Sequence, residues 1–437
     1  MLPAFHVALY NSFMESRLRG DNHTDTRERN SRLVLRALIT YGPLSRRQIS
    51  ELSGLAPGTI SGLVNRFIEQ GLLLTVGSDR PAVSRGGPSQ QLLDFNPSGA
   101  AVLGIAIGVY GRSVSLIGPR GDIRGHAISI DYSTQPPMDD QLDWIATTSK
   151  RLIEESGIPI ASIVGAGVGA EGFVDPANEE GSLVPYGSGE QILIGQELEN
   201  RLGVPVFIAN SRHAEAAGEI WFGRGRTVDQ FLYVSIGTTI GATVVINQEV
   251  QRGYRQLGGG IGHVVVRPDG AACICGKRGC LETIAGAWAV RIGGQAAVRA
   301  RQSSRMAELC AGIPEMLTAE FVSQAAGEGD SAAGDVLGDA AEALGSVLAP
   351  VIATLGPEMV ILQGAIPRLG GEAFLGPFRR TVAELGFPVP EAAPQIVLTE
   401  LIKHATELGA AALALDRFFF SPQLAQRGNS AELASFR

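Results

Sequence analysis

Apolar residues recur at helical spacing in three consecutive blocks between residues 30 and 73. Gly42-Pro43 ends the first block, Ser45 is placed to cap the second, and Gly54 ends that one. Pro57 suits the first turn of the third helix, where its missing N–H leaves no hydrogen bond unmade. The residues predicted to face inward are Leu33, Val34, Ala37 and Leu38 in the first helix, Ile49 and Leu52 in the second (residues 46–52), and Ile60, Leu63, Val64 and Phe67 in the third. Three helices joined by short turns predict a helix-turn-helix.

Two strand-like segments follow the third helix, which Gly71 closes. Residues 72–76 and 90–95 have the composition of strands, and the intervening GSDRPAVSRGGPS is rich in glycine, proline and serine. Such a hairpin after a helix-turn-helix is typical of a wing, whose basic residues contact the phosphate backbone or the minor groove. Residues 27–95 are therefore predicted to form a winged helix-turn-helix DNA-binding domain.

The rest of the chain shows a pattern of strands and helices that occurs twice. The predicted elements are three antiparallel strands within 101–130, a helix at 139–155, a strand at 162–168, a hairpin at 231–235 and 241–246, a helix near 332–353, and strands at 359–362 and 395–398. Two α/β halves of similar order predict a cleft between them, where ligands of α/β folds bind. The two lobes are predicted to be residues 96–220 and 221–418.

Charge is distributed unevenly along the 437 residues, which together carry a net charge of −8. Residues 27–94 hold nine arginines against five carboxylates, so a small basic segment precedes an acidic body. This asymmetry predicts a nucleic-acid-binding arm, and the overall balance excludes a wholly basic nucleic-acid coat. A hydrophobic content of 45% also excludes a disordered or fibrous chain.

Double-stranded operator DNA is the partner that the basic domain predicts. Near the start of the third helix, Thr59, Ser61 and Asn65 are expected to contact base edges. The arginines expected near phosphates are Arg46, Arg47 and Arg66 in the helices and Arg80 and Arg85 in the wing. The alternative is a packing or dimerisation domain with a solvated basic face, which requires neither the wing nor the local positive charge.

Nothing in the sequence requires a membrane, and the expected location is the cytoplasm. The uncharged run at 230–248 is interrupted by Gly237 and Gly241, which predicts two strands and a turn. The opening MLPAFHVALY lacks the basic start and the cleavage site of a signal peptide, so residues 1–26 are expected to be a disordered leader. Residues 419–437 are expected to be a tail, and the three phenylalanines at 418–420 are placed to cap the body.

Glycine-rich loops do not predict a nucleotide site. Gly167, Gly169 and Gly172 satisfy G-x-G-x-x-G after a strand, but Phe173-Val174-Asp175-Pro176 follows where a dinucleotide site needs a helix N-terminus. The sequence contains no G-x-x-x-x-G-K-[ST], which excludes a P-loop.

The strongest chemical signal is a cluster of one histidine and three cysteines. Three thiolates and one imidazole fill the four tetrahedral positions of Zn²⁺, so the spacing predicts a structural site with no open position for water. Gly276 and Gly279 allow the backbone to turn between ligands. Such clustering suits a metal site in a reducing cytoplasm, although cysteines buried as small hydrophobes remain the alternative. The predicted ligands are His263, Cys273, Cys275 and Cys280, while Cys310 is expected in the core.

The chain from residue 29 to residue 415 resembles repressor-type members of the ROK family of repressors, open reading frames and sugar kinases. The resemblance rests on the zinc block CICGKRGCLE preceded by IGH, the glycine loop GVGAEGFVDP, the sugar-site entry VPVFIANSRHAEAAGE and the hairpin SIGTTIGATVVIN. The resemblance implies a two-lobed, actin-like (sugar-kinase/ribonuclease H-like) α/β fold behind the winged helix. It also implies a homodimer or a dimer of dimers.

The resemblance further implies that phosphoryl transfer is lost. ROK kinases have an Asp in the first hairpin, where this chain has Ala106, and a catalytic Asp after the sugar-site Asn, where this chain has Ser211. A hydroxyl without a basic partner cannot accept the proton of a sugar hydroxyl as a carboxylate does. The chain is therefore not expected to be an enzyme, and the hairpin from Gly237 to Gly241 is expected to be a remnant of the kinase scaffold.

A sugar or sugar derivative is the effector that the resemblance implies. Two family acceptors for sugar hydroxyls are absent, because Gly260 replaces a Glu and Ser211 replaces an Asp, and His213 stands where many members have Asn. The residues expected to contact the ligand are Glu171, Asn210, Ser211, His263 and Glu282. The expected function is a DNA-binding repressor of carbohydrate-related genes. A carbohydrate kinase and a ligand-independent DNA-binding protein remain alternatives.

Overall fold

The computed structural model describes residues 23–79, 90–108, 111–130, 136–175, 182–184, 192–386 and 393–420. The described chain divides into two compact units. The smaller unit contains the residues up to Ala100 together with those from Leu415 onward, and the larger unit runs from Ala101 to Ala414.

The smaller unit is built around the predicted helix-turn-helix. Its elements are α1 (His23–Tyr41), β1 (Leu44–Ser45), α2 (Arg46–Ser53), α3 (Pro57–Glu69), β2 (Leu73–Asp79) and β3 (Gln90–Phe95). The side chain of Ser45 accepts a hydrogen bond from the Gln48 N–H, and the Gln48 side chain accepts one from Ser45, which forms a capping box at the start of α2. Gly54 ends α2 in the left-handed conformation. Strand β3 lies between β1 and β2, so the predicted wing hairpin is confirmed.

The inward faces of α1 and α2 differ from the prediction at two positions. Leu33 is 37% exposed because the buried stripe of α1 passes through Val34, Leu35 and Leu38, about 100° away around the helix. Leu52 is 50% exposed, since burial in the eight residues of α2 is confined to Ile49. The predicted buried stripe of α3 is confirmed at all four positions. Helix α1 also begins at His23, inside the range expected to be a disordered leader.

The described residues of the larger unit form two five-stranded sheets and one two-stranded sheet, and the first five-stranded sheet is formed by the N-terminal half of the unit. Its elements are β4 (Ala101–Ile107), β5 (Gly111–Ile117), β6 (Ile123–Ile130), α4 (Met138–Ser156), β7 (Ile163–Ala170), β8 (Phe173–Asp175), β9 (Ser182–Val184), α5 (Ile194–Leu202), β10 (Val206–Asn210) and α6 (Ser211–Trp221). The five-stranded order is β10-β7-β4-β5-β6. Strands β4 to β6 are antiparallel, whereas β7 and β10 run parallel to β4.

The second half of the larger unit repeats this arrangement. Its elements are β11 (Phe231–Ile236), β12 (Ile240–Ile246), β13 (Glu249–Gln251), α7 (Glu282–Ala285), α8 (Ala287–Arg299), α9 (Ser304–Leu309), α10 (Ala319–Gly327), α11 (Ser331–Leu355), β14 (Met359–Gln363), α12 (Ala365–Gly370), α13 (Glu372–Leu385), β15 (Gln395–Leu398) and α14 (Ala405–Phe420). The order β13-β12-β11-β14-β15 is the order of the first sheet with each strand replaced by its counterpart. The predicted duplication of α/β halves is confirmed.

Helix α14 returns to the first sheet, although its sequence lies in the range predicted for the second lobe. A Cβ atom at Gly167 would lie 1.8 Å from the Ala410 carbonyl oxygen, and one at Gly104 would lie 2.2 Å from that of Glu407. Only glycine permits this approach of helix and strand backbones. The helix then continues into the smaller unit, where the Asp416 carboxylate pairs with Arg32 at 3.4 Å and Phe419 contacts Phe95.

Among the described residues, α11 is the one helix whose length and composition would permit it to cross a membrane. Half of its most apolar window is buried within the protein. Leu337, Leu344 and Leu348 belong to the core that packs against the second sheet, so α11 is a core helix of the larger unit.

Candidate functional site

The exposed face of α3 consists of small and polar residues. Thr59 and Asn65 are exposed, and Ser61 is partly exposed. Gly58 and Gly62 lie on the same face, and a Cβ atom at either position would have no neighbour within 4 Å. A narrow, polar helix surface of this kind fits the major groove of B-DNA, where base edges offer donors and acceptors.

The arginines of this domain have different surroundings. Arg46 on α2 donates to Asn65 Oδ1 on α3 at 3.0 Å, so these two predicted DNA contacts are joined. Arg47 donates to Glu51 at 2.7 Å in an exposed pair within α2. Partial burial and the nearby positive charge of Arg27 lower the pKa of Arg66. The wing residues Arg80 and Arg85 lie outside the described residues.

One side of the candidate effector site lies at the carboxyl ends of β7 and β10. The two strands are parallel neighbours and pair Asn210 with Ala170, so Glu171 and Ser211 follow adjacent strand ends. The Asn210 side-chain amide donates to the Gly172 carbonyl at 2.9 Å, and its Oδ1 accepts from the Arg212 N–H at 3.1 Å. Asn210 therefore caps α6 and positions the glycine loop at the same time. Ligands of α/β folds bind at such strand ends.

A buried carboxylate lies behind this side of the site. Tyr233 OH donates to Glu215 at 3.1 Å, and Thr406 Oγ1 donates to its other oxygen at 2.7 Å. Burial raises the pKa of Glu215 to about 7, an effect that the two hydroxyl donors reduce without cancelling. The sequence around Glu215 does not reveal this buried carboxylate, because its hydrogen-bond donors, Tyr233 and Thr406, are distant in sequence.

His213, which also follows the strand end, is buried with an unsatisfied ring nitrogen. The residue is 2% exposed, and its Nδ1 has no hydrogen-bond partner among the described residues. Burial and then the positive charges of Arg252 and Arg212 lower the pKa of His213 to about 4. The imidazole is therefore neutral at physiological pH.

The other side of the site is formed by β12 and the short 3-10 helix Ile261–His263. Glu282 accepts a hydrogen bond from the Ile240 N–H at 3.3 Å. The same carboxylate lies beside Gly262, which precedes His263. Gly260 faces open space, with no atom within 4 Å of where a Cβ would be. The space that a Glu side chain would begin to fill at this position is therefore empty of protein atoms.

Arg212, which is not among the predicted site residues, joins the two sides. A Cβ at Gly241 would lie 2.2 Å from Arg212 Cδ, which places this side chain directly against the β12 hairpin. Gly241 follows Ile240, whose N–H is bound by Glu282. The structure thus groups Glu171, Asn210 and Ser211 on one side, and His263 with Glu282 on the other. The signal for Arg212 was its position directly after Ser211, in the segment that replaces the kinase's catalytic motif.

The predicted metal ligands do come together. The ligand atoms of His263, Cys273, Cys275 and Cys280 all lie within 4.8 Å of one another. His263 Nδ1 lies 3.5 Å from Cys273 Sγ, and Cys275 Sγ lies 3.6 Å from Cys280 Sγ. Because ligands bound to one tetrahedral zinc at about 2.0–2.3 Å lie roughly 3.3–3.8 Å apart, the donor set fits that ion.

The loop that carries the cysteines depends on two glycines with left-handed backbone. Gly276 has φ 87° and Gly279 has φ 64°, as their predicted role requires. The Lys277 N–H lowers the pKa of the Cys275 thiol, whereas burial raises the pKa of Cys280 to about 12. Because metal binding requires deprotonated thiols, an ion bound by these residues would displace the proton of Cys280. Cys310 is buried away from the cluster, as predicted.

Comparison with protein families matches both units. The model of the ROK family matches residues 102–417, and a model described as winged helix-turn-helix DNA-binding matches residues 27–73. The chain belongs to the ROK family. Its N-terminal winged helix is of the DNA-binding kind.

Relatives of this ROK protein include both regulators and kinases. It is 28% identical to a putative xylose repressor of Caldicellulosiruptor sp. (strain Rt8B.4) over 92% of this chain and 99% of the relative. It is 32% identical to a glucokinase of Thermotoga maritima over 72% of this chain and 98% of the relative. A crystal structure of a ROK family transcriptional regulator, a homologue of the E. coli MLC protein, matches with a TM-score of 0.75 and 26% identity over 92% of this chain and 98% of that one. The similarity to regulators extends across both units.

Proposed function

We propose that this ROK protein is a cytoplasmic transcriptional repressor whose binding to operator DNA is modulated by a sugar or sugar derivative. The observation that carries the proposal is the exposed, small and polar face of α3 in a winged helix, attached to a ROK body that lacks the kinase carboxylates. The relatives named as xylose repressors support the sugar-responsive part.

In this proposal, α3 lies in the major groove. Thr59, Ser61 and Asn65 contact base edges. Arg46 contacts a phosphate, whether or not it keeps its hydrogen bond to Asn65. Arg47 and Arg66 also contact phosphates. Arg80 and Arg85 in the wing complete the phosphate contacts. Two copies of the chain, as a homodimer or within a dimer of dimers, would read half-sites separated by about 34 Å or a multiple of it.

The effector is proposed to bind between the two sides of the cleft. Glu171, Asn210 and Ser211 supply one side, and His263 and Glu282 supply the other. Carboxylates accept hydrogen bonds from sugar hydroxyls, and amides both accept and donate them. Closure of the two lobes on the ligand would change the relation between paired DNA-binding domains. A coupling of about 1–3 kcal/mol suffices for a 5- to 150-fold change in operator affinity.

Zn²⁺ is the proposed occupant of the cysteine cluster. His263, Cys273, Cys275 and Cys280 would hold it, and it would supply structural cross-linking of the loop without a position for a reacting water. His263 faces the cysteines through Nδ1, which leaves Nε2 for the effector. The metal thereby fixes the orientation of a ring that contacts the ligand.

Carbohydrate kinase activity is the second candidate, because a glucokinase is among the relatives. Two features of this chain oppose it. Ala106 and Ser211 offer no carboxylate for magnesium or for a general base.

The deciding experiment measures binding of the zinc-loaded full chain to its own promoter DNA at fixed salt, with and without a panel of sugars and sugar derivatives. Release by one compound is the expected outcome. ATP consumption with the same panel provides the parallel assay. Tight DNA binding that no compound alters would support a ligand-independent regulator, and sugar-dependent ATP consumption would support the kinase.

The DNA-contacting surface has its own test. Arg66→Ala is expected to weaken operator binding and to reduce by about 1 the slope of log affinity against log salt, because each phosphate contact releases counterions. Arg305→Ala, in an exposed ion-pair cluster of the larger unit, serves as the matched control and should change neither value. An unchanged slope for Arg66→Ala would place that side chain away from the phosphates.

A further inference from the structure

A second cluster of metal-ligating side chains lies apart from the cysteine cluster. His126 on β6, His404 and Glu407 at the start of α14 place their ligand atoms within 4.8 Å of one another. Neither the DNA-binding surface nor the proposed effector site uses these residues. His126 is far in sequence from His404 and Glu407, so the cluster exists only in the folded protein.

The sheet places His126 on the same face as two buried serines. Ser113 and Ser115 on β5 are two residues apart and therefore lie on one face of the strand. His126 is the cross-strand partner of Ser115 in the antiparallel pair. Ser115 Oγ lies 3.0 Å from His126 Nδ1, and this hydrogen bond orients the ring.

Helix α14 contributes the other two groups from its first turn. His404 precedes the helix in a left-handed conformation with φ 62°, and its carbonyl accepts from the Leu408 N–H. A spacing of three residues places Glu407 on the same side as His404, and His404 Nδ1 lies 3.6 Å from Glu407 Oε1. Ser113 Oγ donates to the same carboxylate oxygen at 2.5 Å.

The three groups lie close enough to one another to bind one ion. The rings of His126 and His404 meet edge to face with centroids 4.1 Å apart. Nitrogen and oxygen ligands at about 2.0–2.1 Å from a tetrahedral metal lie roughly 3.3 Å apart, close to the observed separation of His404 and Glu407. Glu407 is 6% exposed, and a carboxylate so buried requires a positive partner.

We propose that His126, His404 and Glu407 bind a divalent first-row transition-metal ion. Two imidazoles and a carboxylate are the ligand types that Zn²⁺, Co²⁺, Ni²⁺ and Cu²⁺ accept in proteins. Partial exposure of His126 provides the route by which the ion enters. Ser115 and Ser113 act as the outer partners that orient the imidazole and the carboxylate, as is usual around such ions. The bound ion joins the edge strand β6 to the first turn of α14.

The test uses the tag-free full chain, stripped of metal and then loaded with Co²⁺. Cobalt bound by cysteine thiolates gives strong near-ultraviolet charge-transfer absorption, whereas cobalt bound only by nitrogen and oxygen does not. We expect the wild-type chain to hold one ion with the thiolate absorption and a second ion without it. His126→Asn and His404→Asn should each lose the second ion and retain the first.

The choice of Asn and two further variants sharpen the result. Asn is tolerated at positive φ, so His404→Asn keeps the backbone conformation. If His404→Asn nevertheless fails to fold, His126→Asn tests the site from the partly exposed strand β6. Ser115→Ala should retain both sites and weaken the second by about 10-fold. Lys403→Ala, an exposed neighbour of His404, is the matched control and should bind both ions like the wild type.

Two outcomes would overturn the proposal. In the first, circular dichroism shows that the wild-type chain is folded, but it binds a single ion. The cluster would then be a His404–Glu407 ion pair only. Alternatively, the second ion would persist in both histidine variants and would therefore lie elsewhere.

Discussion

Glu215 shows how far the surroundings of a single residue can change its chemistry. The carboxyl is buried, it accepts hydrogen bonds from Tyr233 and Thr406, and burial raises its pKa to about 7. In the unfolded chain the same group titrates near 4.5. Between these pH values the folded protein holds a proton that the unfolded chain has lost, so folding becomes less favourable as the pH rises through this window.

Glu215→Gln should remove this penalty. We expect the free energy of unfolding of the wild type to fall relative to that of the variant between pH 5 and pH 8, by up to about 3 kcal/mol at 1.36 kcal/mol per pKa unit. Urea unfolding at the two pH values measures the difference. The exposed Glu342→Gln provides the control, and a parallel pH dependence of wild type and Glu215→Gln would contradict the assignment. The buried His213, with its pKa lowered to about 4, contributes the opposite slope and is present in both proteins.

Cys275 is the exposed member of the cysteine cluster, and its substitution tests the metal directly. Cys275→Ser should lower the zinc content of the cysteine site, reduce the thermal stability of the larger unit and abolish the effector response, because a structural metal contributes to folding. Metal analysis and thermal melting provide the measurement. Cys310→Ser, outside the cluster, should leave the zinc content unchanged. A Cys275→Ser protein with full response and no metal would exclude this role of the ion.

At the scale of the element, α3 and α14 use glycine for different purposes. In α14 and the strands beneath it, glycines at positions 104 and 167 permit backbone contact that any side chain would prevent. On α3, Gly58 and Gly62 face open space, so packing within the protein does not require them. A helix interior favours alanine over glycine by about 1 kcal/mol, and in our proposal these glycines allow α3 to approach the DNA closely.

Gly62→Ala should consequently separate stability from DNA binding. We expect the substitution to stabilise the winged helix by roughly 0.5–1 kcal/mol and to weaken operator binding, since a methyl group would occupy the surface that enters the groove. Chemical unfolding and operator titration provide the two readouts. Gly334→Ala on α11, which also faces open space, should stabilise the larger unit without affecting DNA binding. Unchanged operator affinity in Gly62→Ala would mean that this face does not enter the groove.

At the scale of the whole molecule, two units carry different chemistry and can be observed separately. The three tryptophans, Trp144, Trp221 and Trp288, all belong to the larger unit. Tryptophan fluorescence therefore reports on the unit that contains the proposed effector cleft and the metal cluster, and not on the winged helix.

An effector that binds only the folded protein should raise the melting temperature seen by tryptophan fluorescence. At a concentration about 100 times its Kd, the expected stabilisation is about 2.7 kcal/mol. The same sugar panel used for DNA release supplies the ligands, and a sugar that fails to release DNA serves as the control. If no compound raises the melting temperature, the cleft does not bind any of the sugars in the panel.

Much of this protein is determined by patterns that are local in sequence. The helix periodicity, the Ser45 cap, Gly54, the strand segments in both halves and the spacing of the three clustered cysteines are each visible within a few neighbouring residues, because hydrogen bonding, helix geometry and metal coordination act over short distances. The prediction of which residues of α1 and α2 face inward was wrong at Leu33 and Leu52, since their burial depends on what packs against each helix.

The tertiary structure alone decided which distant residues meet. Glu215 and Thr406 are 191 positions apart, and His126 reaches His404 only because strand pairing fixes one and the glycine contacts of α14 fix the other. Arg212 against Gly241 likewise depends on the relation of the two sheets within the larger unit. The burial that shifts the titration of Glu215 and His213, and the clustering that creates a second metal site, arise from packing between elements, which no local pattern of residues encodes.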